Sequence, residues 1–328
     1  MSFVDKFGRE VTYLRISVTD KCNLRCIYCM PEEGVKLLPH REILRIEEIV
    51  RIAKIFIDHG VKKIRITGGE TLVRKGVITL IKELANYMGD RGEVTITTNG
   101  TLLEEFGEAL VKAGVKRINI GIDSLVPVNF SRMTRRDRFR EAIRGVKKAL
   151  ELPFEKVKLN VVVLRNYNFE ELEDFLILAR EYPLEVRFIE YMPFGNVSSE
   201  AKENLFVSGK EIERVILEKM KVEREEEMEG VSRMYRIVGG KGKAGIITPM
   251  TAHFCENCNR MRLTANGYLR PCLFSREMID VKTPLRSGAS DGELEKIIEK
   301  AVNLKPRINP LLENGETSLP CPMSFIGG

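Results

Sequence analysis

The chain has 328 residues, with 53 Lys and Arg against 47 Asp and Glu for a net charge of +6, seven cysteines, three histidines and no tryptophan. Such a length buries a core without disulfide staples, as two domains or one large barrel; 43% apolar and 30% charged residues exclude a disordered chain, and no run approaches the ~18 uncharged residues of a transmembrane helix. Asp5, Lys6, Arg9 and Glu10 stand where a signal peptide needs its apolar core, so a cytoplasmic chain is expected, in which an odd cysteine count points to metal or catalytic thiols rather than disulfides.

Tyr13–Val18 reads as a first strand, followed by a cysteine loop and a helix over Ile46–Ile57 whose Ile46, Ile49, Val50, Ala53 and Ile57 share one face. Strand Lys63–Thr67 runs into Gly68-Gly69. Strand Val94–Thr97 leads to helix Leu102–Ala113, strand Arg117–Ile122 to helix Phe139–Leu150, and strand Lys158–Val163 to helix Phe169–Arg180, before a sixth strand, Val186–Ile189. This serial alternation predicts an α/β fold with a parallel sheet, open or curved into a partial barrel, with ligands at the C-terminal strand ends. Beyond Gly195 a helix near Lys210–Met220 precedes the acidic run Glu223–Glu229, expected as a solvated helix end or loop. Met234–Val238 and Gly245–Thr248 flank a Gly- and Lys-rich turn that lacks P-loop spacing and reads as a hairpin, and Arg260–Thr264 with Tyr268–Cys272 reads as another, turned at Asn266-Gly267. A last helix, Glu293–Val302, precedes a tail ending in Gly327-Gly328. The expected boundary lies near residue 235, giving segments 1–235 and 236–328.

Cys22, Cys26 and Cys29 form C-x3-C-x2-C directly after the first strand. Structural zinc wants four ligands, commonly as two C-x2-C knuckles, so three thiolates at this spacing suit an iron–sulfur cluster with one open iron better. Cys255, Cys258 and Cys272 make a second triad, for which zinc is a stronger rival because C-x2-C is the commonest zinc knuckle and His253 is close by. Cys321 is left over.

The cysteine loop followed by Gly68-Gly69-Glu70 resembles the radical S-adenosylmethionine (SAM) superfamily. Leu14-Arg15-Ile16-Ser17-Val18-Thr19-Asp20-Lys21-Cys22, Lys63-Ile64-Arg65-Ile66-Thr67-Gly68-Gly69-Glu70, Thr97-Thr98-Asn99-Gly100, the second triad with Arg260-Met261-Arg262 and the terminal Gly-Gly narrow the resemblance to the GTP 3′,8-cyclases of molybdenum cofactor biosynthesis. It runs from near residue 11 to the last residue. It implies a partial (βα)6 barrel with a smaller α+β C-terminal region, two 4Fe–4S clusters and SAM. Cys22, Cys26 and Cys29 would hold the first cluster, with Tyr28, Gly69, Gly121 and Met192 meeting SAM. Cys255, Cys258 and Cys272 would hold the second, which binds GTP at its open iron. Arg15, Arg65, Thr97, Lys158, Arg187, Arg260, Met261 and Arg262 would bind the nucleotide, since guanidinium forks suit phosphate oxygens.

The implied reaction is abstraction of the ribose C3′ hydrogen by a 5′-deoxyadenosyl radical and attack of C3′ on guanine C8, giving a 3′,8-cyclised GTP. Cyclic pyranopterin monophosphate synthase would use that product. A reduced electron donor and a homodimer are further implications, with no nucleic acid or membrane partner, and Gly327 and Gly328 would form a tail reaching into the active site. Two positions depart from the pattern: Thr71 replaces a usual proline, and Gly121 replaces a serine that commonly contacts SAM, leaving backbone or Asn119 for that contact. Two rivals make different predictions. A radical SAM protein with Cys321 as fourth ligand would carry a closed relay cluster, and a zinc-binding nucleic-acid module would be colourless and salt-sensitive in binding.

Overall fold

A computed structural model of the chain describes residues 2–193, 204–252, 255–313 and 323–326. The strands β1 (Tyr13–Ser17), β2 (Lys63–Thr67), β3 (Glu93–Thr98), β4 (Arg117–Gly121), β5 (Lys156–Val163) and β6 (Leu184–Glu190) lie side by side in chain order and all run parallel. Parallel neighbours need a crossover, and helices α1 (Ile46–Asp58), α2 (Val77–Met88), α3 (Leu103–Lys112), α4 (Pro127–Thr134), α5 (Phe139–Glu151) and α6 (Leu172–Glu181) supply it. This is the expected six-unit α/β arrangement. Helices α2 and α4 are absent from the sequence reading; α2 nevertheless buries Val77, Leu80, Ile81, Leu84 and Met88 at helical spacing, between Gly76 and Gly89.

The remainder extends the same sheet at both edges instead of forming a separate one. After α7 (Gly209–Lys219), β7 (Val222–Arg224), β8 (Arg233–Ile237) and β9 (Lys243–Ile247) form a meander, with β9 parallel to β6. On the other edge β10 (Arg260–Leu263) runs parallel to β1 and continues antiparallel into β11 (Tyr268–Arg270) and β12 (Ile279–Asp280). Both expected hairpins form, with Gly239 and Gly267 in the left-handed region at φ 73° and 80°. The acidic run is a correction: its first residues pair in β7 with β8 instead of lying in a helix end or loop. Residue 235 falls within β8, which pairs on both sides. The described chain closes with α8 (Lys282–Arg286), α9 (Asp291–Asn303), α10 (Pro310–Glu313) and α11 (Met323–Ile326). Capping boxes start α7 at Ser208 and Glu211 and α9 at Ser290 and Glu293.

Strand periodicity decides which side chains face the site. Leu14 and Ile16, Ile64 and Ile66, Ile118 and Ile120, Val157 and Leu159 point into the core under the helices, each worth roughly 1.5–3 kcal/mol when fully buried. Tyr13, Arg15, Arg65, Thr97, Asn119, Lys158 and Arg187 alternate with them and take the opposite face.

Candidate active site

The first cysteine loop leaves the C-terminal end of β1 and lies flat on the end of β2. Gly69 N–H donates to the Thr19 carbonyl and Glu70 N–H to that of Lys21, both at 2.8 Å. A Cβ on Gly69 would stand 2.3 Å from the Lys21 oxygen, so only glycine permits this approach. Glu70, 1% exposed, accepts from Leu72 N at 2.9 Å, Thr98 Oγ1 at 2.7 Å and Asn99 N at 2.6 Å. That carboxylate joins the ends of β2 and β3 and aims Asn99, whose Nδ2 lies 3.9 Å from Cys22 Sγ and 2.7 Å from Asn23 Oδ1. From the other side Arg25 N–H and Ile27 N–H donate to Thr134 and Met133 carbonyls at 2.8 and 2.9 Å.

Cys22, Cys26 and Cys29 are half-buried free thiols. Burial pushes Cys22 up to about 11, and burial followed by the charges of Asp123, Cys29 and Cys22 holds Cys26 well above its ordinary value. Among the described residues no three Cys, His, Asp or Glu side chains stand ready-made around a point. The donor set fits a cluster chemically: three half-buried free thiols close in sequence on one loop, two of them held up by burial, are what bound iron would convert to thiolates. Tyr28, between the second and third cysteines, donates to Asp123 Oδ2 at 2.6 Å, and Val162 N–H donates to Asp123 Oδ1 at 2.9 Å. Burial pushes Asp123 up to about 6, against those two hydrogen bonds. Asp123, two residues beyond Gly121, is a residue the sequence reading misses. At Gly121 a Cβ would meet nothing closer than the Thr98 oxygen at 3.9 Å, so the missing serine leaves room. Met192 follows β6 and packs with Phe274, Leu311 and Ile326.

The basic residues meet on the inner face. Arg15 sits opposite Arg65 on β2 and Arg262 on β10. Arg65 Nε donates to the Tyr13 hydroxyl at 2.5 Å and its Nη1 to Thr97 Oγ1 at 3.3 Å. Burial, only partly offset by Tyr13, pushes Arg15 down to about 10, and burial with Arg15 and Arg260 nearby holds Arg262 well below its usual range. Burial would raise Tyr13, yet Arg65, Arg15 and Lys63 bring it down to about 7. Cations crowded this way in a buried space favour an anionic ligand. Met261 is an exception among the expected nucleotide residues, since it alternates with Arg260 and Arg262 and is fully buried in the hydrophobic core.

Lys158 and Arg187 are handled differently. Glu185 and Glu229 lie 3.1 and 2.5 Å from Lys158 Nζ and 2.7 and 3.1 Å from Arg187 Nη2. Lys156 joins both carboxylates at 2.8 and 3.1 Å. Burial opposes ionisation of the two glutamates, but Arg187 and the lysines hold them below the usual carboxylate range. Burial and Arg187 push Lys158 down to about 8. Glu229, the last residue of the acidic run, is thus turned onto the basic face, and no signal in an isolated acidic stretch marks it out.

The second triad brackets β10 and β11. Cys255 and Cys258 precede β10, with a Cys258 N–H to Cys255 carbonyl bond at 3.1 Å, and Cys272 follows β11. All three are half-buried free thiols. Arg9, paired with Asp5 at 2.6 Å, donates to the Cys255 and Pro306 carbonyls at 2.7 Å each. Lys305 Nζ lies 2.7 Å from the Arg260 carbonyl and 3.8 Å from Cys258 Sγ. Burial pushes Cys258 up, but Arg260 and Lys305 overcome it and bring it to about 7. Cys255 is raised by burial, then by Cys272 and Cys258, so both other sulfurs lie close enough to act on it. His253, Cys321, Gly327 and Gly328 lie outside the described residues.

Among the described residues no helix is long and apolar enough to cross a membrane. The Radical SAM superfamily model matches residues 16–179 and the Molybdenum Cofactor Synthesis C model residues 184–310. The fold is similar to that of Streptococcus suis SuiB bound to S-adenosylmethionine, at TM-score 0.59 and 16% identity over 89% of this chain and 69% of that one. Membership of the superfamily brings with it SAM and a 4Fe–4S cluster. The chain is 46% identical to a GTP 3′,8-cyclase of Moorella thermoacetica over 99% of both chains, and 46% identical to one of Desulforamulus reducens over 92% of this chain and 94% of that one. With half of the chain matched by one family model and nearly all of it by these relatives, the protein belongs to the GTP 3′,8-cyclase family of radical SAM enzymes.

Proposed function

We propose that this chain converts GTP to its 3′,8-cyclised form between two iron–sulfur clusters, held by Cys22, Cys26 and Cys29 at one end of the barrel interior and by Cys255, Cys258 and Cys272 at the other. The observation that carries this reading is the position of the triads about β1. One follows its C-terminal end, whereas Cys255 and Cys258 precede β10, whose parallel register places Arg260 beside Tyr13 at the start of β1. The five residues of β1 at ~3.3 Å each leave about 16 Å for a nucleotide.

The first cluster and SAM, when bound, supply the radical that removes the ribose C3′ hydrogen so that C3′ can bond to guanine C8. The chain's own residues bind and orient. Tyr28, fastened to Asp123, together with Gly69, Gly121 and Met192, lines the SAM end; Arg15, Arg65, Thr97, Arg260 and Arg262 hold the triphosphate, with Lys158 and Arg187 once Glu229 gives way. Met261 contributes through its backbone, since its side chain is in the core. Segment 1–235 carries the first triad and 236–328 the second, a division along the sequence within one continuous sheet, and Gly327 and Gly328 would supply a tail reaching into the active site. A reduced electron donor, cyclic pyranopterin monophosphate synthase as the next enzyme and a homodimer complete the proposal. Anaerobically reduced protein with SAM and GTP should yield 5′-deoxyadenosine together with a cyclised nucleotide; 5′-deoxyadenosine without it, from protein carrying about eight irons per chain, would overturn the assignment of substrate.

A further inference from the structure

Lys305, just beyond α9, is 1% exposed, and an ammonium ion so deeply buried is costly unless its charge is answered. Its Nζ lies 2.7 Å from the Arg260 carbonyl, 3.3 Å from that of Pro271 and 3.8 Å from Cys258 Sγ. These acceptors belong to the two segments that carry the second triad: Arg260 is two residues after Cys258, and Pro271 immediately precedes Cys272. Among the described residues no carboxylate lies within ion-pairing distance of this ammonium. Asp5, an acidic side chain whose charge reaches Lys305, is already paired with Arg9 at 2.6 Å. Arg9 adds another positive charge to the same corner, through its bond to the Cys255 carbonyl. Among the described residues, the fold has therefore brought a buried cation to a place where the negative charge closest to its contacts would reside on the cysteine sulfurs, Asp5 being taken up by Arg9.

We propose that Lys305 is a positioning residue and counter-cation for the second cluster, donating an N–H···S hydrogen bond to Cys258 while its two carbonyl bonds hold the cysteine segments together. The inference rests on the two-cluster reading given above. Hydrogen bonds to cluster sulfurs and nearby positive charge favour the more reduced state, so Lys305 raises the second cluster's reduction potential and leaves the first, at the far end of β1, unchanged.

Wild type, Lys305→Met and Lys305→Arg are compared by iron content and by potentiometric titration followed by electron paramagnetic resonance. In Lys305→Met the second cluster should titrate at a more negative potential or be lost, with the first cluster's four irons and its SAM-induced signal change retained. Lys305→Arg, which keeps the charge and donors, should recover most of the shift. Because the methionine variant can fail to fold, wild-type protein labelled with 15N-lysine is examined by pulsed resonance, where the reduced second cluster should couple to a lysine nitrogen. A second cluster in Lys305→Met at wild-type potential, or no nitrogen coupling in labelled wild type, would overturn the proposal. Wild-type protein holding only about four irons would instead overturn the two-cluster reading beneath it.

Discussion

Lys158 illustrates how far one buried residue departs from its textual appearance. On sequence it is one more cation on a strand; in the fold it shares Glu185 and Glu229 with Arg187, and burial brings it down to about 8. A base with a depressed folded value loses its proton as pH rises through that value. The nucleotide affinity of the free protein should therefore weaken above about pH 8, and Lys158→Arg, which stays charged, should flatten that limb when GTP binding is titrated from pH 7 to 9.5. Glu229 competes for the same cations. Glu229→Gln should tighten GTP binding several-fold, equivalent to about 1 kcal/mol, as measured by equilibrium dialysis, whereas weaker binding would assign Glu229 a supporting role. The pairing of Glu229 with residues more than forty positions earlier is a tertiary fact that sequence periodicity does not carry.

Individual elements divide into those a period reveals and those it does not. The six parallel strands follow from runs such as Lys63–Thr67, where every second residue is apolar and buried, and both hairpins from their glycine turns. Helix α2 has an equally clear apolar face between Gly76 and Gly89, but it follows the Gly-Gly-Glu strand end after a short loop, and its spacing alone does not separate it from that loop. The strand ends bearing glycine make contrasting predictions. Gly69→Ala pushes a Cβ into the Lys21 carbonyl and should cost about 1–3 kcal/mol while lowering iron at the first triad; Gly121→Ser has open space and should melt like wild type and bind SAM at least as tightly. Thermal melting with iron analysis checks both, and equal stability of the two variants would contradict the close approach at Gly69.

At the scale of the whole molecule, one continuous sheet positions both triads. Extending the chain beyond Gly328 should abolish turnover while leaving about eight irons and SAM binding intact, and full activity in a tagged protein would dismiss a role for the tail. The sequence by itself determined the strand–helix alternation, the two C-x2-C-containing triads, the Gly-Gly-Glu strand end and the family resemblance, because these are local spacings of residue types. Tertiary structure alone decided that β10 lies beside β1, that Met261 faces the core while Arg260 and Arg262 face inward, that Asp123 holds Tyr28, that Glu229 pairs with cations from distant strands, and that Lys305 is buried against the carbonyls and thiol of the second triad's segments. Burial and ion pairing depend on which strands become neighbours, and strand order is set by long-range packing that no local spacing records.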